Sequence, residues 1–71
     1  MDSTSGIAAL AELLHETSVR HGGFEAVAPV HDWWDWYAAY VTARQAGSTP
    51  DEAAAAAGSY MAQVKHVVVP G

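Results

Sequence analysis

The stretch His31-Asp32-Trp33-Trp34-Asp35-Trp36-Tyr37-Ala38-Ala39-Tyr40 decides how the chain folds. It holds all three tryptophans and two of the three tyrosines of a 71-residue sequence. Asp32, with Asp35 three residues on, resembles a capping box, although glutamate or glutamine is the usual partner. A helix therefore starts near Asp32, with His31 and Trp36 placed to form a hydrophobic staple. On that helix Trp33, Trp36, Tyr37, Tyr40 and Val41 form a broad apolar face. Asp32, Asp35, Ala39, Thr42 and Ala46 form the opposite, solvated stripe. Trp33 and Trp34 are consecutive and point about 100° apart, so one indole must leave the core face. The register selects Trp34 as the exposed one. Gly47 closes the helix as its C′ residue.

Two further helices are predicted to pack on this one. Upstream, Ile7, Leu10, Leu14 and Thr17 share one side of a helix, with Leu13 beside them. Glu12 and Glu16 fall on its outer side, and Glu16 to Arg20 is a favourable i, i+4 pair. Met1 to Gly6 is expected to fray, with Ser3 or Ser5 capping the helix. Gly22-Gly23 is read as its end. Phe24 to Val30 then forms a connector in which Pro29 forbids regular helix, and Phe24 and Val27 anchor it to the core. Downstream, Thr49-Pro50-Asp51-Glu52 supplies an N-cap, a proline at the first helical position and a glutamate that completes a capping box. Alanines 53 to 57 favour helix strongly. Ala53, Ala57, Met61 and Val64 form the inward line, with Tyr60 alongside. Gly58 is read as allowing close approach to a tryptophan, and Lys65 and His66 as complementing the dipole of the last turn. Val67 to Val69 either extends the helix or forms a short extended tail before Pro70. The expected fold is all-α, a single domain over 1–71 with helices at about 6–21, 32–46 and 50–67. Small residues on the third helix leave room for the indoles of the second.

Composition narrows the possible functions. There is no cysteine, which removes disulfides and thiolate metal sites. The net charge of −5, with only three basic residues, argues against a nucleic-acid backbone or an anionic membrane as partner. No apolar run approaches the ~20 residues that span a bilayer. The start lacks a signal-peptide pattern, so a soluble cytoplasmic protein is expected.

From His21 through Glu52, the run H-G-G-F-E-A-V-A-P-V-H-D-W-W-D-W-Y-A-A-Y-V-T-A-R followed by G-S-T-P-D-E-A resembles a helical C-terminal segment. That segment is attached to some actinobacterial proteins of the vicinal oxygen chelate superfamily, labelled glyoxalase-like or bleomycin-resistance-like. The likeness extends from about His15 to about His66. It places His21, Glu25, His31, Asp35, Trp36 and Tyr37 at matching positions. The β-α-β-β-β modules that bind metal and drug in that superfamily are absent here, so no catalytic ligand carries over.

Within the chain, His31 and Asp35, with Glu25 and His21 beside the connector, form the sharpest cluster. Two readings stand. If the second helix begins a turn early, His31 and Asp35 share a face and with Glu25 offer N and O ligands for a metal. Otherwise the aspartates cap the helix and His31 hydrogen-bonds the loop. No zinc-protease or Cys/His spacing supports the first, and no metal or other cofactor is assigned. The aromatic cluster is either plain core or the wall of a pocket for an apolar or cationic ligand, with acidic counter-charge. His15 reads as a surface histidine, and no serine or threonine has triad partners. The function expected is a non-catalytic binding or interaction module, with Trp34, Glu25, His31, Asp35 and His21 as its contact residues. The partner would be a protein, a second copy forming a homo-oligomer, or a small ligand. The alternatives are a metal-dependent accessory enzyme and a structural appendage.

Overall fold

The computed structural model describes residues 3–70. Three helices follow one another: α1 (Ser3–Glu25), α2 (Trp33–Gln45) and α3 (Pro50–Gln63). The second pairs closely with the third, and the first lies across the second. No strand is present among the described residues, so the chain is an all-α three-helix arrangement as predicted.

The core is small and built as large against small. Trp36, Tyr40, Ala53, Ala57 and Met61 are its buried members. Trp36 and Tyr40, one helical turn apart, stack with ring centres 5.2 Å apart and planes at 15°. Leu13 and Phe24 reach this cluster from α1. Ala39 and Ala43 also pack against it, so the stripe expected to be solvated is in part the seam with α3.

The turn from α2 to α3 is set by local chemistry. Gly47 has φ 105, a left-handed value that favours glycine. Its N–H donates to the Arg44 carbonyl and that of Ser48 to the Ala43 carbonyl, the paired bonds of a Schellman ending. Two residues later Thr49 caps α3. The Glu52 N–H donates to the Thr49 hydroxyl at 3.2 Å, and the Thr49 N–H donates to the Glu52 carboxylate at 2.8 Å. The predicted capping box is therefore present.

Several expectations are corrected. Helical backbone begins at Ser3, earlier than expected; the side chains of Ser3 and Ser5, and with them the cap, lie outside the described residues, as does the fraying of Met1 and Asp2. Gly22-Gly23 does not end α1, which runs on to Glu25. Glycine costs about 1 kcal/mol relative to alanine in a helix. Continuing the helix carries Phe24 onto the core, and burying an aromatic ring of that kind outweighs the cost. The helix stops only as Pro29 approaches, with the Ala28 N–H returning to the Phe24 carbonyl. Val27 is 57% exposed and anchors nothing.

The predicted inward face of α1 holds only in part. Thr17 is buried and Leu13 packs on the core, as predicted, and His21 is buried with them, whereas Ile7 is 70% exposed and Leu10 and Leu14 are exposed. At 1.5 Å per residue α1 is roughly 35 Å long and α2 roughly 20 Å, and since Ala9, Glu12 and Leu13 lie beside Arg44 and Gln45, the part of α1 before Ala9 overhangs its neighbour. At the other end α3 stops at Gln63, leaving Val64 exposed instead of inward. His66 adopts φ 60 and the Val67 N–H donates to the Met61 carbonyl at 2.8 Å. Lys65 and His66 thus lie beyond the last turn, and Val67 to Val69 form an extended tail. A Cβ added at Gly58 would meet Phe24 at 3.9 Å, an ordinary contact with no tryptophan involved.

Added Cβ atoms at Gly22 and Gly23 would meet nothing within 4 Å. Replacing both by alanine is expected to raise unfolding stability by ~1–2 kcal/mol. Urea denaturation followed by circular dichroism checks this, and unchanged or lowered stability would show that these positions are not simply helical.

Candidate functional site

The residues singled out from the sequence gather where α1 ends and α2 begins, in two groups. The inner group is a pair of histidines. His21, on the last full turns of α1, is 5% exposed. Its Nε2 lies 2.9 Å from Nε2 of His31, which precedes α2. The other nitrogen of His31, Nδ1, lies 2.8 Å from the Pro29 carbonyl oxygen. A carbonyl can only accept, so His31 carries its proton on Nδ1. With no second proton on His31, its Nε2 accepts and His21 donates to it from its own Nε2. Aromatic rings close around the pair: Trp36 and Tyr37 against His21 at 5.4 and 5.3 Å, and Phe24 against His31 at 5.1 Å.

Glu25 lies one turn beyond His21, its carboxylate 3.3 Å from His21 Nδ1. With His21 protonated at Nε2 only, that nitrogen presents a lone pair to the carboxylate. The contact becomes an ion pair only when His21 takes a second proton. Burial holds His21 below the ordinary imidazole value of 6.5; Glu25 works against that shift and His31 adds to it. A histidine whose pKa is lowered by folding stabilises the fold fully above 6.5, and the contribution is lost as pH falls below it. Stability at about pH 7.5 is therefore expected to exceed that at about pH 5.5, and His21→Gln to shrink the difference. Denaturant midpoints at the two pH values check this; an equal loss in the variant would place the titrating group elsewhere.

The outer group is a rim of aromatic and acidic side chains. Trp34 is 53% exposed, as its register predicts. Trp33, expected on the core face, is exposed to the same extent. The reason is that α1 meets the first turn on the side that carries Trp36, against His21 and Phe24, whereas Trp33 lies off that side against Trp34 and Tyr37. The two indoles meet edge to face at 5.5 Å and 83°, and Trp33 meets Tyr37 at 4.9 Å and 74°. Beside them Glu25, Ala28, Pro29, Val30, His31 and Trp33 line a cleft of about 230 Å³.

Asp32 and Asp35 do not form the predicted capping box. Asp32 occupies the N-cap but makes no side-chain cap hydrogen bond. Asp35 pairs instead with Lys65 of the tail at 3.5 Å. Because α2 starts at Trp33, His31 and Asp35 do not share a helical face, and His31 turns toward α1. Among the described residues no group of three His, Asp or Glu side chains converges as a metal would require. The metal reading that joined His31, Asp35 and Glu25 is thus not supported by their placement.

A polar cluster missed in the sequence lies nearer the core. Tyr40 donates from its hydroxyl to Glu16 at 2.6 Å, and Arg44 donates to both oxygens of the same carboxylate at 2.8 and 3.2 Å. Glu16 therefore does not pair with Arg20, which reaches Asp51 at 2.9 Å. The available signal was Arg44 four residues after Tyr40, a cation and a phenol on one face with no carboxylate on their own helix. A depression of about 460 Å³ lies between α2 and α3 and is lined mainly by alanines. It carries no charged group and lies away from the histidines, so the rim of α2 remains the candidate site.

Compared with protein-family profiles, characterised proteins and solved structures, the chain matches none. No described helix is long and apolar enough to cross a membrane.

Proposed function

We propose that the chain is a non-catalytic helical binding module, and that it contacts other molecules through the start of α2. The observation that carries this reading is the pair of neighbouring indoles, each 53% exposed, beside the cleft walled by Glu25 and Trp33. Large aromatic side chains left in water cost burial energy that a small domain can ill spare, and such residues are favoured anchors of interfaces. The histidine pair beneath them holds the connector to α1, so the rim is a fixed surface. No nucleophile stands beside a base there, which favours binding over catalysis.

Tryptophan emission across a panel of small apolar, anionic and cationic ligands tests the proposal. Binding is expected to change the emission, and the Trp33→Ala, Trp34→Ala double variant is expected to abolish that response while keeping its helicity. A panel to which the emission is silent, or a response that survives in the double variant, would overturn it.

A second reading rests on α1. Ile7, Leu10 and Leu14 recur at i, i+3 and i+7 and are all exposed. That line favours a structural appendage, a segment seated against another body. Sedimentation of the Leu10→Glu, Leu14→Glu variant beside the parent tests it. Loss of an oligomer supports association along α1, and a parent that is strictly monomeric speaks against a second copy.

A further inference from the structure

We infer that the rim at the start of α2 receives an arginine side chain offered by a segment of a different protein. This rests on the reading of that rim as a binding surface, and identifies what it binds. The argument begins with the distribution of charge. The chain has three basic side chains apart from histidine, and each is already held: Arg20 by Asp51, Arg44 by Glu16 and Lys65 by Asp35. Glu25 and Asp32 are not among the carboxylates so neutralised. Both stand at the rim, and the Glu25 side chain is 67% exposed. The basic group beside it is His21, 3.3 Å away, and burial disfavours the charged form of that imidazole. The rim therefore presents uncompensated negative charge beside exposed indoles.

The shape of the cleft narrows the chemistry. Ala28, Pro29 and Val30 give it an apolar lining, and Glu25, His31 and Trp33 line it with them. An apolar lining suits a methylene stem. An indole and a carboxylate together suit a guanidinium, which stacks on the one and makes parallel hydrogen bonds to the other. An ammonium would use the charge but gain neither the stacking nor the fork. Trp33 is held edge to face by both Trp34 and Tyr37, so little order need be imposed on binding. A second copy of this chain is a poor source of the guanidinium, because both of its arginines are engaged within the fold. Nucleic acid would meet like charge.

The test uses the full chain labelled with ¹⁵N and the peptide acetyl-Gly-Gly-Arg-Gly-Gly-amide. Its counterparts carry lysine, or citrulline, which keeps the planar head without the charge. The arginine peptide is expected to shift the Trp33 and Trp34 indole N–H signals, with a dissociation constant on the order of 1 mM for one anchoring side chain. The citrulline peptide is expected to bind about tenfold more weakly, and Glu25→Gln to lower arginine-peptide affinity by a similar factor while the signal of buried Trp36 stays in place. Equal binding of arginine and citrulline, or no effect of Glu25→Gln, would overturn the arginine assignment. The binding-surface reading would survive that result if the indoles still shifted. Indoles unmoved by every peptide at roughly 10 mM would overturn the assignment. The wider reading would then be decided by the ligand panel.

Discussion

Trp36→Ala is expected to leave the chain largely unfolded at room temperature. The indole is 1% exposed and stacks on Tyr40, with Phe24 at 5.8 Å and His21 at 5.4 Å. Truncating a buried tryptophan costs ~3–5 kcal/mol, from lost transfer energy and the cavity left behind. At roughly 0.05–0.15 kcal/mol per residue, 71 residues give ~4–11 kcal/mol in total, and a core of five buried apolar side chains among the described residues sets the chain at the low end of that range. The alanines opposite, Ala53 and Ala57, cannot extend into the gap, and α1 reaches the core mainly through Leu13 and Phe24. Far-ultraviolet circular dichroism with thermal melting checks the result; retained helicity with a cooperative melt would mean that Trp36 is not the keystone. The conservative variant refines the test. Trp36 Nε1 is buried with no hydrogen-bond partner among the described residues, and an unpaired buried N–H is itself a cost. Trp36→Phe removes that cost along with some volume, so its penalty is expected to fall well below that of alanine, to ~2 kcal/mol or less.

What could be foreseen from the residues divides by the range of the forces involved. Thr49, Pro50 and Glu52 fix the start of α3, and Gly47 the end of α2, through bonds spanning a few residues. Trp36, Tyr40, Ala53, Ala57 and Met61 were legible as core because helical period alone aligns them. Gly22-Gly23 misled because its local meaning, helix end, is outweighed by what Phe24 gains on the far side of α1. Glu16 misled for a related reason. Its place on the wheel is the outer side only if the apolar line from Ile7 to Thr17 faces inward throughout, and the overhang of α1 breaks that condition. At the candidate site, the approach of Glu25 and His31 to one cleft was foreseen in part, since both flank the connector. The imidazole pairing of His21 with His31 depends on how α1 continues past its glycines. The exposure of Trp33 depends on which side of the first turn of α2 meets α1. Neither is a property of nearby residues, and both follow from tertiary geometry.

The Glu16 cluster carries the second large effect, and it does so through pH. Tyr40 and Arg44 both direct donors at one Glu16 oxygen, and Arg44 also donates to the Ser48 carbonyl at 2.9 Å. One carboxylate thus ties α1 to α2 and to the turn that leads into α3. The hydrogen bonds from Arg44 and then from Tyr40 hold Glu16 down at about 2, against an ordinary value of 4.5, with partial burial working in the other direction. A carboxylate whose pKa is lowered by folding stabilises the folded state fully above 4.5. That contribution is lost as pH falls from 4.5 through about 2, because the unfolded chain takes up the proton first. This step begins at 4.5, below the 6.5 at which that of His21 begins. Glu16→Gln keeps an acceptor for the Tyr40 hydroxyl but removes the charge. It is expected to cost ~1–2 kcal/mol near neutrality and to flatten the loss below 4.5. Glu16→Ala leaves a fully buried phenol without its acceptor and Arg44 without its carboxylate, for ~2–4 kcal/mol. Denaturant midpoints taken from neutral pH down to acid read both effects. If Glu16→Gln loses stability below 4.5 as steeply as the parent, another carboxylate governs the acid limb. A double-mutant cycle with Tyr40→Phe then separates the roles. Coupling that disappears at low pH belongs to the ionised Glu16, whereas coupling that persists belongs to packing alone.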